Sequence, residues 1–345
     1  MDAPPTDLLP LLPAEVSALL APLGEQPYRG RQVFEWIHAK RVGGFDAMTN
    51  LPVSLRGWLA DHAAISRIEP AAVLASSDGT RKLLFGPEDE RFSSVLMPSV
   101  DRVTLCISSQ IGCRMGCAFC LTGRLRFRRD LTAAEMVGQV HAAQRLLDAD
   151  GEGRRVSNVV FMGMGEPLDN LTEVLRVVRV ITHREGLRVA PRRTTVSTVG
   201  ILPKMREFLE AGTGASLALS LCATTDEARV AAAPATKRYP LADVVEALRS
   251  MPLPHGHSYT IEYQLIPGVG ASVDDARRLS RMLANFPAKV NLIPFNPWPG
   301  TQYRRPTNEE VQAFARVLEE RSHTVTVRWS RGLDIGAACG QLDGA

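Results

Sequence analysis

Cys113, Cys117 and Cys120 place three thiols within eight residues, in the spacing CxxxCxxC. Thiolates this close on one loop can converge on a soft metal centre. Zinc normally takes four ligands in two spaced pairs, and no second pair occurs here. A merely structural trio would leave adjacent thiols open to metal or oxidation. Iron–sulfur is the better reading, and three ligands leave one iron of a cubane open to a small molecule. The other three cysteines, Cys106, Cys222 and Cys339, lie apart in sequence. In a reducing compartment structural disulfides are rare, so grouped cysteines point to metal or catalysis.

Arg124, Arg126, Arg128 and Arg129 crowd the six residues that begin shortly after this loop, and Arg154, Arg155, Arg188, Arg192 and Arg193 follow. Single arginines are usually solvated surface charges. A cluster beside a metal loop suits a polyanion better, because several charges together hold one. The whole-chain balance is mild, with net charge +3 and pI about 8.6; it permits a nucleic-acid partner without requiring one. Hydrophobic residues at 45% and charged residues at 22% are ordinary for a globular chain. No run approaches the roughly 18–20 apolar residues of a membrane span. The N-terminus, MDAPPTDLLPLLPAE, has an acid and prolines where a signal peptide needs a basic start and an apolar core. A cytoplasmic location is therefore expected.

A chain of 345 residues has room for a full catalytic domain and a smaller one. Residues 1–63 read as a helical accessory domain, with helices expected at 13–23, 28–40 and 53–62. Residues 64–98 switch to short β-like runs (AAVLAS, RKLLFG, RFSSVLMP) separated by Asp78-Gly79 and Gly86-Pro87, a small β-meander. From 99 to 342 apolar strands alternate with amphipathic helices. The pattern predicts strands at 102–108, 156–162, 192–197, 215–221, 258–265 and 288–294, with a last one at 324–329. It predicts helices at 132–148, 170–184, 201–211, 241–250, 272–285 and 307–321. Such alternation means right-handed βαβ units on a parallel sheet. The fold class is α/β, with six units forming a partial barrel.

The unusual residues fall at the C-terminal strand ends, the face on which parallel β/α barrels build sites. The cysteine loop follows the first strand and Gly163-Met164-Gly165-Glu166-Pro167 the second. Then come Ser197-Thr198-Val199-Gly200, Ser220-Leu221-Cys222, Ile266-Pro267-Gly268 and Pro294-Phe295-Asn296-Pro297. Turn formation explains some of the glycines and prolines, but not a polar or sulfur residue at five of the six ends.

With Phe119 before its last cysteine, the motif resembles that of the radical S-adenosylmethionine (SAM) superfamily. The resemblance implies one [4Fe–4S] cluster on Cys113, Cys117 and Cys120. Its open iron would chelate SAM and, once reduced, cleave it to methionine and a 5′-deoxyadenosyl radical. Gly165-Glu166 resembles the element that binds the SAM amino group, and a carboxylate facing an ammonium is chemically apt.

Longer runs are similar to those of the RlmN/Cfr family of RNA methyltransferases. They are Thr104–Cys113, Phe161–Pro167, Val196–Gly200, Lys289–Asn296 and Asp334–Leu342. The likeness extends from about Asp78 to Leu342, and the helical N-terminal module places it nearer the RlmN branch. It implies methylation of adenine C2 in 23S rRNA near the peptidyl transferase centre, and of the adenosine 3′ of the anticodon in some tRNAs. The RNA is expected single-stranded or unfolded, since C2 is hidden in a paired stack. By the same resemblance Cys339 takes a methyl from one SAM, and a second SAM supplies the radical that activates it. The carbon then joins C2, a base removes the C2 proton, and Cys106 attacks Cys339 in a transient disulfide that releases the product. Without the resemblance, Cys106 reads as a small buried hydrophobe on a strand. Gly165, Glu166, Ser197, Ser220, Leu221, Cys222 and Asn296 fall at SAM-contacting positions. A flavodoxin- or ferredoxin-type electron donor, no membrane partner and a monomer are further implications.

The likeness breaks at particular residues. Ser93 stands where the family carries the glutamate assigned as the base, and a hydroxyl is far too weak to replace it unaided. Glu90 and Asp101 are nearby substitutes in sequence. Cys222 replaces an asparagine or histidine, and a thiol is a weaker hydrogen-bonding group. The loop Pro234–Pro240 also departs slightly. Three other readings therefore stand beside the first. One is a paralogous radical SAM RNA methyltransferase with another target or carbon. Another is a non-catalytic iron–sulfur RNA-binding protein, against which Gly165-Glu166 and Cys339 argue. A zinc module is the weakest. Arg29, Arg31, Lys40 and Arg41 in the N-terminal helices suit either RNA binding or packing.

Overall fold

A computed structural model describes residues 4–251, 253, 258–284 and 287–343. The chain opens with β1 (Thr6–Asp7), α1 (Pro13–Leu20), α2 (Tyr28–His38), α3 (Val53–His62) and β2 (Ala63–Ala64), and β1 pairs in parallel with β2. Then come β3 (Ala72–Ala75), β4 (Arg81–Phe85), β5 (Phe92–Ser99) and β6 (Arg102–Cys106). The cysteine loop carries β7 (Gln110–Ile111), α4 (Leu121–Arg124) and β8 (Arg129–Asp130). After it run α5 (Ala133–Ala149), β9 (Asn158–Phe161), α6 (Leu171–Thr182), β10 (Thr194–Thr198), α7 (Leu202–Glu210) and β11 (Ser216–Leu221). The chain continues through α8 (Asp226–Ala232), α9 (Leu241–Ser250), β12 (Tyr259–Leu265), α10 (Val273–Met282), β13 (Ala288–Pro294), α11 (Asn308–Glu319) and β14 (Thr324–Val327).

The sheet order is β14-β13-β12-β11-β10-β9-β6-β5-β4-β3. From β6 through β14 all neighbours are parallel, which gives the partial barrel expected from the alternation, with β14 as a further parallel strand. The strands are buried on both faces because helices cover the outside and side chains fill the inside. Helix starts are written in the sequence. Thr132 and Glu135, Ser272 and Asp275, and Thr307 and Glu310 each form a capping box that opens a core helix. Expected core boundaries shift by a few residues at most, and position 285, the last of one expected helix, lies outside the described residues.

Two features differ from the sequence reading. The β-meander is not freestanding: β5 pairs antiparallel with β6, so β3–β5 extend the barrel sheet. The segment Thr225–Arg238, to which the sequence pattern assigned no helix, contains α8 and a 3-10 turn. Seven helical residues are too few to show a period, although Thr225 caps them.

The N-terminal helices pack against α5 and α6. Arg176 on α6 bonds Glu15 at 2.8 Å, and Arg41 bonds Asp148 on α5 at 2.7 Å. Arg29 is held by Glu25, Gln32 and the Asn50 carbonyl, Arg31 lies 3.6 Å from Glu185, and Lys40 sits over the Trp36 ring. These cations serve the packing reading. At the same interface His38 Nδ1 meets His141 Nε2 at 3.2 Å, both rings buried.

Burial holds the His38 ring neutral far below its ordinary range, and burial with Arg145 and Arg41 pushes His141 down to about 3. An unfolded histidine takes a proton below about 6.5, whereas these do not, so stability is lost as pH falls through 6.5. Each such histidine costs about 1.4 kcal/mol per pH unit below that point. Urea unfolding at pH 7.5 and 5.5 should show this loss, and in His141→Gln the pH dependence should be about half as steep.

Candidate functional site

The cysteine loop is shaped by close backbone contact. Gly112 has φ +73°, and a Cβ there would lie 2.3 Å from the Arg126 carbonyl oxygen, so only glycine lets the loop close. Cys113, Cys117 and Cys120 all line one cavity at the C-terminal end of the barrel, together with Gly165, Glu166, Ser197, Ser220, Leu221, Cys222 and Cys339. The three thiols do not form a compact single-ion ligand group among the described residues. A cubane does not ask for one, because each thiolate binds a different iron. Burial pushes Cys113 up to about 12, and raises Cys117 and Cys120 as well. Buried thiols that repel one another's charge fit a cationic cluster, which alone would make them thiolates.

Gly165 has φ +102° and packs on Gln110 so tightly that a Cβ would lie 2.6 Å from its side chain. This fixes Glu166, which is 3% exposed. Its Oε1 accepts the Leu168 N–H at 3.1 Å and its Oε2 the Val199 N–H at 3.0 Å. Burial nonetheless pushes its pKa up to about 7. A carboxylate held this way is short of a positive partner, as a site for an ammonium group would be. Ser197 and Ser220 share a hydrogen bond of 2.8 Å across β10 and β11. Cys222 is buried behind the loop against Cys117, and burial pushes it up to about 12.

The C-terminal segment docks on the cysteine loop. Leu121 N–H donates to the Gly340 carbonyl at 2.8 Å, and Thr122 Oγ1 donates to the Leu342 carbonyl. Cys339 is thereby set over the cavity, its residue surface open to it. Asn296 is fully buried and holds this segment: its Nδ2 donates to the Cys339 carbonyl at 3.0 Å. Its Oδ1 accepts from Arg305 and from Ser330. The Asn296 amide is thus committed to the Cys339 segment rather than to the cavity.

Cys339 also lines a second cavity, and Cys106 on β6 lines it too. Both are free thiols. Burial pushes Cys106 up to about 12, with the charge of Cys339 adding to it. Arg328 lines this second cavity too, and it is half of a charge pair that the sequence reading missed. Glu262, 4% exposed on β12, meets Arg328 Nη1 at 3.3 Å, and Asn291 Nδ2 donates to its Oε1 at 3.0 Å. A lone acid inside the apolar run YTIEYQL was the available signal.

Ser93 is fully buried on β5, its Oγ donating to Met164 Sδ at 3.8 Å, and it lines neither cavity. Glu90 is taken by Arg129 at 3.0 Å. Asp101 is exposed in the turn before β6, at the end of that strand away from the cysteine loop. Arg124, Arg126 and Arg128 are exposed beside the loop. Arg129 is ion-paired to Glu135 as well as Glu90.

Residues 6–65 match the model of the ribosomal RNA large subunit methyltransferase N-terminal domain, and residues 107–270 match that of the radical SAM superfamily. The chain is 47% identical to a dual-specificity RNA methyltransferase RlmN of Geobacter sulfurreducens, over 96% of this chain and 90% of the relative. It is 45% identical to the protein of that name in Pelobacter propionicus, over 98% and 96% of the two chains. A crystal structure of a radical SAM methyltransferase from Sphaerobacter thermophilus superposes with a TM-score of 0.91 at 40% identity, covering 99% of this chain and 100% of that one.

Although the residue is open to the cavity, loss of hydration at its sulfur, together with the charge of Cys120, pushes the Cys339 thiol up to about 11 against the lowering effect of Arg328. Only the thiolate is alkylated. Iodoacetamide labelling of Cys339, read by peptide mass spectrometry, should therefore rise about tenfold per pH unit and level off only near 11. A plateau near the ordinary thiol range of about 8.5 would contradict this setting.

Proposed function

The chain belongs to the RlmN family of radical SAM RNA methyltransferases, and we propose that it methylates C2 of an adenine in 23S rRNA, and the adenosine 3′ of the anticodon in tRNA. The observation that carries this reading is the place of Cys339. One side of it faces the cavity with the cysteine loop and Glu166, and the other faces the cavity of Cys106. A residue that first carries a methyl group and is later released by a second thiol needs both neighbours.

A [4Fe–4S] cluster on Cys113, Cys117 and Cys120, with SAM on its open iron, would supply the 5′-deoxyadenosyl radical. Glu166 would hold the SAM ammonium, and its backbone-tied carboxylate needs no reorganisation to do so. Gly165 lets that loop approach, and Ser197, Ser220, Leu221 and Cys222 would line the nucleoside part of the ligand. Asn296 keeps the Cys339 segment in place through its carbonyl.

Cys339 Sγ takes the methyl of a first SAM. After a hydrogen atom is removed from that methyl, its carbon bonds to adenine C2. Loss of the C2 proton and of one electron, which the oxidised cluster would take back, restores the aromatic ring. Cys106 Sγ, as thiolate, then attacks Cys339 Sγ: the S–S bond forms, the S–C bond breaks with its electron pair going to carbon, and that carbon takes up a proton and leaves with the RNA as a methyl group. Two SAM molecules are used per methyl transferred. The exposed Arg124, Arg126 and Arg128 would meet the RNA backbone beside the opening.

Ser93 favours one alternative, a paralogous enzyme with another target or carbon. Incubation of 23S rRNA and tRNA with reconstituted enzyme, SAM and reductant, followed by digestion and mass spectrometry, separates the two. We expect 2-methyladenosine; 5′-deoxyadenosine formed without it would move the target or product elsewhere. Cys106→Ala should accumulate a covalent protein–RNA adduct at Cys339, and normal turnover by that variant would refute the two-thiol release.

A further inference from the structure

The proposed reaction needs a base for the C2 proton, and the identity of that base matters only if the reaction is the right one. The position that carries the family's base is Ser93, which is fully buried with its hydroxyl on Met164 Sδ. Of the two neighbouring acids, Glu90 is bound to Arg129 and Asp101 sits in the turn before β6. None of the three lines the cavity that holds Cys339.

Two carboxylates do line it, Glu166 and Glu262. Both oxygens of Glu166 already accept backbone N–H groups, and it lies on the loop beside the cysteines. Glu262 sits elsewhere. In register, β12 places it between Ser220 of β11 and Asn291 of β13, pointing into the barrel at the level of the paired serines. Cys339 feels the charges of both Glu262 and Arg328. In the covalent adduct a single methylene separates Cys339 Sγ from C2, so a base that reaches the C2 hydrogen must flank Cys339. Glu262 is the carboxylate that does.

We propose that Glu262 is the general base that removes the C2 proton in this chain. The C2–H bond breaks heterolytically: the proton moves to a carboxylate oxygen of Glu262, the electron pair stays in the ring, and the ring's unpaired electron would return to the oxidised cluster. Arg328 and Asn291 hold the carboxylate in one orientation, at 3.3 Å and 3.0 Å. The transfer also prepares the next step. Once Glu262 is neutral, Arg328 is left facing Cys106, with which it lines the second cavity. That charge favours the Cys106 thiolate as it attacks.

The test uses a 23S rRNA transcript deuterated at adenine C2 and the Cys106→Ala background, in which the adduct is trapped. Mass spectrometry of the adduct reads whether the deuteron has left. In Cys106→Ala we expect it lost. In Cys106→Ala/Glu262→Gln we expect an adduct that keeps it, with loss slowed about 100-fold or more, the usual worth of a general base. Equal loss in both overturns the assignment. So does a double variant that forms 5′-deoxyadenosine and no adduct, since Glu262 would then act before the proton step. Glu262→Asp in the same background keeps the charge beside Arg328 but shortens its reach, and should slow the loss at least about tenfold. Loss at the parental rate in that variant also overturns it. If Cys106→Ala alone traps no RNA, the failure belongs to the proposed reaction and not to Glu262.

Discussion

The docking of the last few residues onto the cysteine loop is the contact on which the site depends. Cys339 lies more than two hundred residues after the loop, and nothing local brings it there. The Gly340 and Leu342 carbonyls take their hydrogen bonds from Leu121 and Thr122, the first residues after Cys120. Asn296 clamps the Cys339 carbonyl from the end of β13, and Trp298 Nε1 reaches the Phe119 carbonyl at 3.3 Å. Each such bond contributes a net of about 0.5–1.5 kcal/mol. A few of them localise the segment without fusing it to the barrel. That balance would suit the role proposed for Cys339, which faces the radical source at one stage and a second thiol at another.

Around Cys339 the barrel interior supplies unusual electrostatics. A carboxylate and a guanidinium buried together lose much of their hydration, and their mutual attraction roughly offsets that loss when the geometry is good. Glu262 and Arg328 are therefore weak candidates for a purely stabilising role. Replacing both by apolar residues would cost the fold little, whereas removing one would strand the other. Glu262 lines the first cavity with Cys339 and Arg328 the second with Cys339 and Cys106, which gives the pair something to do besides hold strands together. Glu166 is the complementary case, a buried acid without a basic side chain among its bonded partners.

The barrel was legible in the sequence because its signals are strong and repeated. Apolar β-branched runs alternate with capped amphipathic helices, and the cysteines and Gly165-Glu166 fall at strand ends. The pairs β1–β2 and β7–β8 were not legible, since a two-residue ladder has no period to detect. Helix α8 was hidden for the same reason of length. At the site, the residues on one loop were readable from spacing, and Cys106 and Cys339 only through likeness to a family. Glu262, Arg328 and the clamping role of Asn296 depend on register across β11, β12 and β13 and on the C-terminal turn. Contacts between residues so distant in sequence leave no local pattern.

Two cavities that share Cys339 separate two chemistries that would harm each other. A radical source beside a pair of free thiols would lose its radical to the nearer sulfur–hydrogen bond, which is weaker than a carbon–hydrogen bond. Cys106 lines only the second cavity, so it stands behind Cys339 rather than beside the cysteine loop. A Cys339 that carries a methyl group has no S–H to quench the radical, and it covers the thiol behind it. In the proposed reaction, Cys106 would gain its reactive partner only after Cys339 carries the RNA and Arg328 is free to stabilise a thiolate, which would place disulfide formation last.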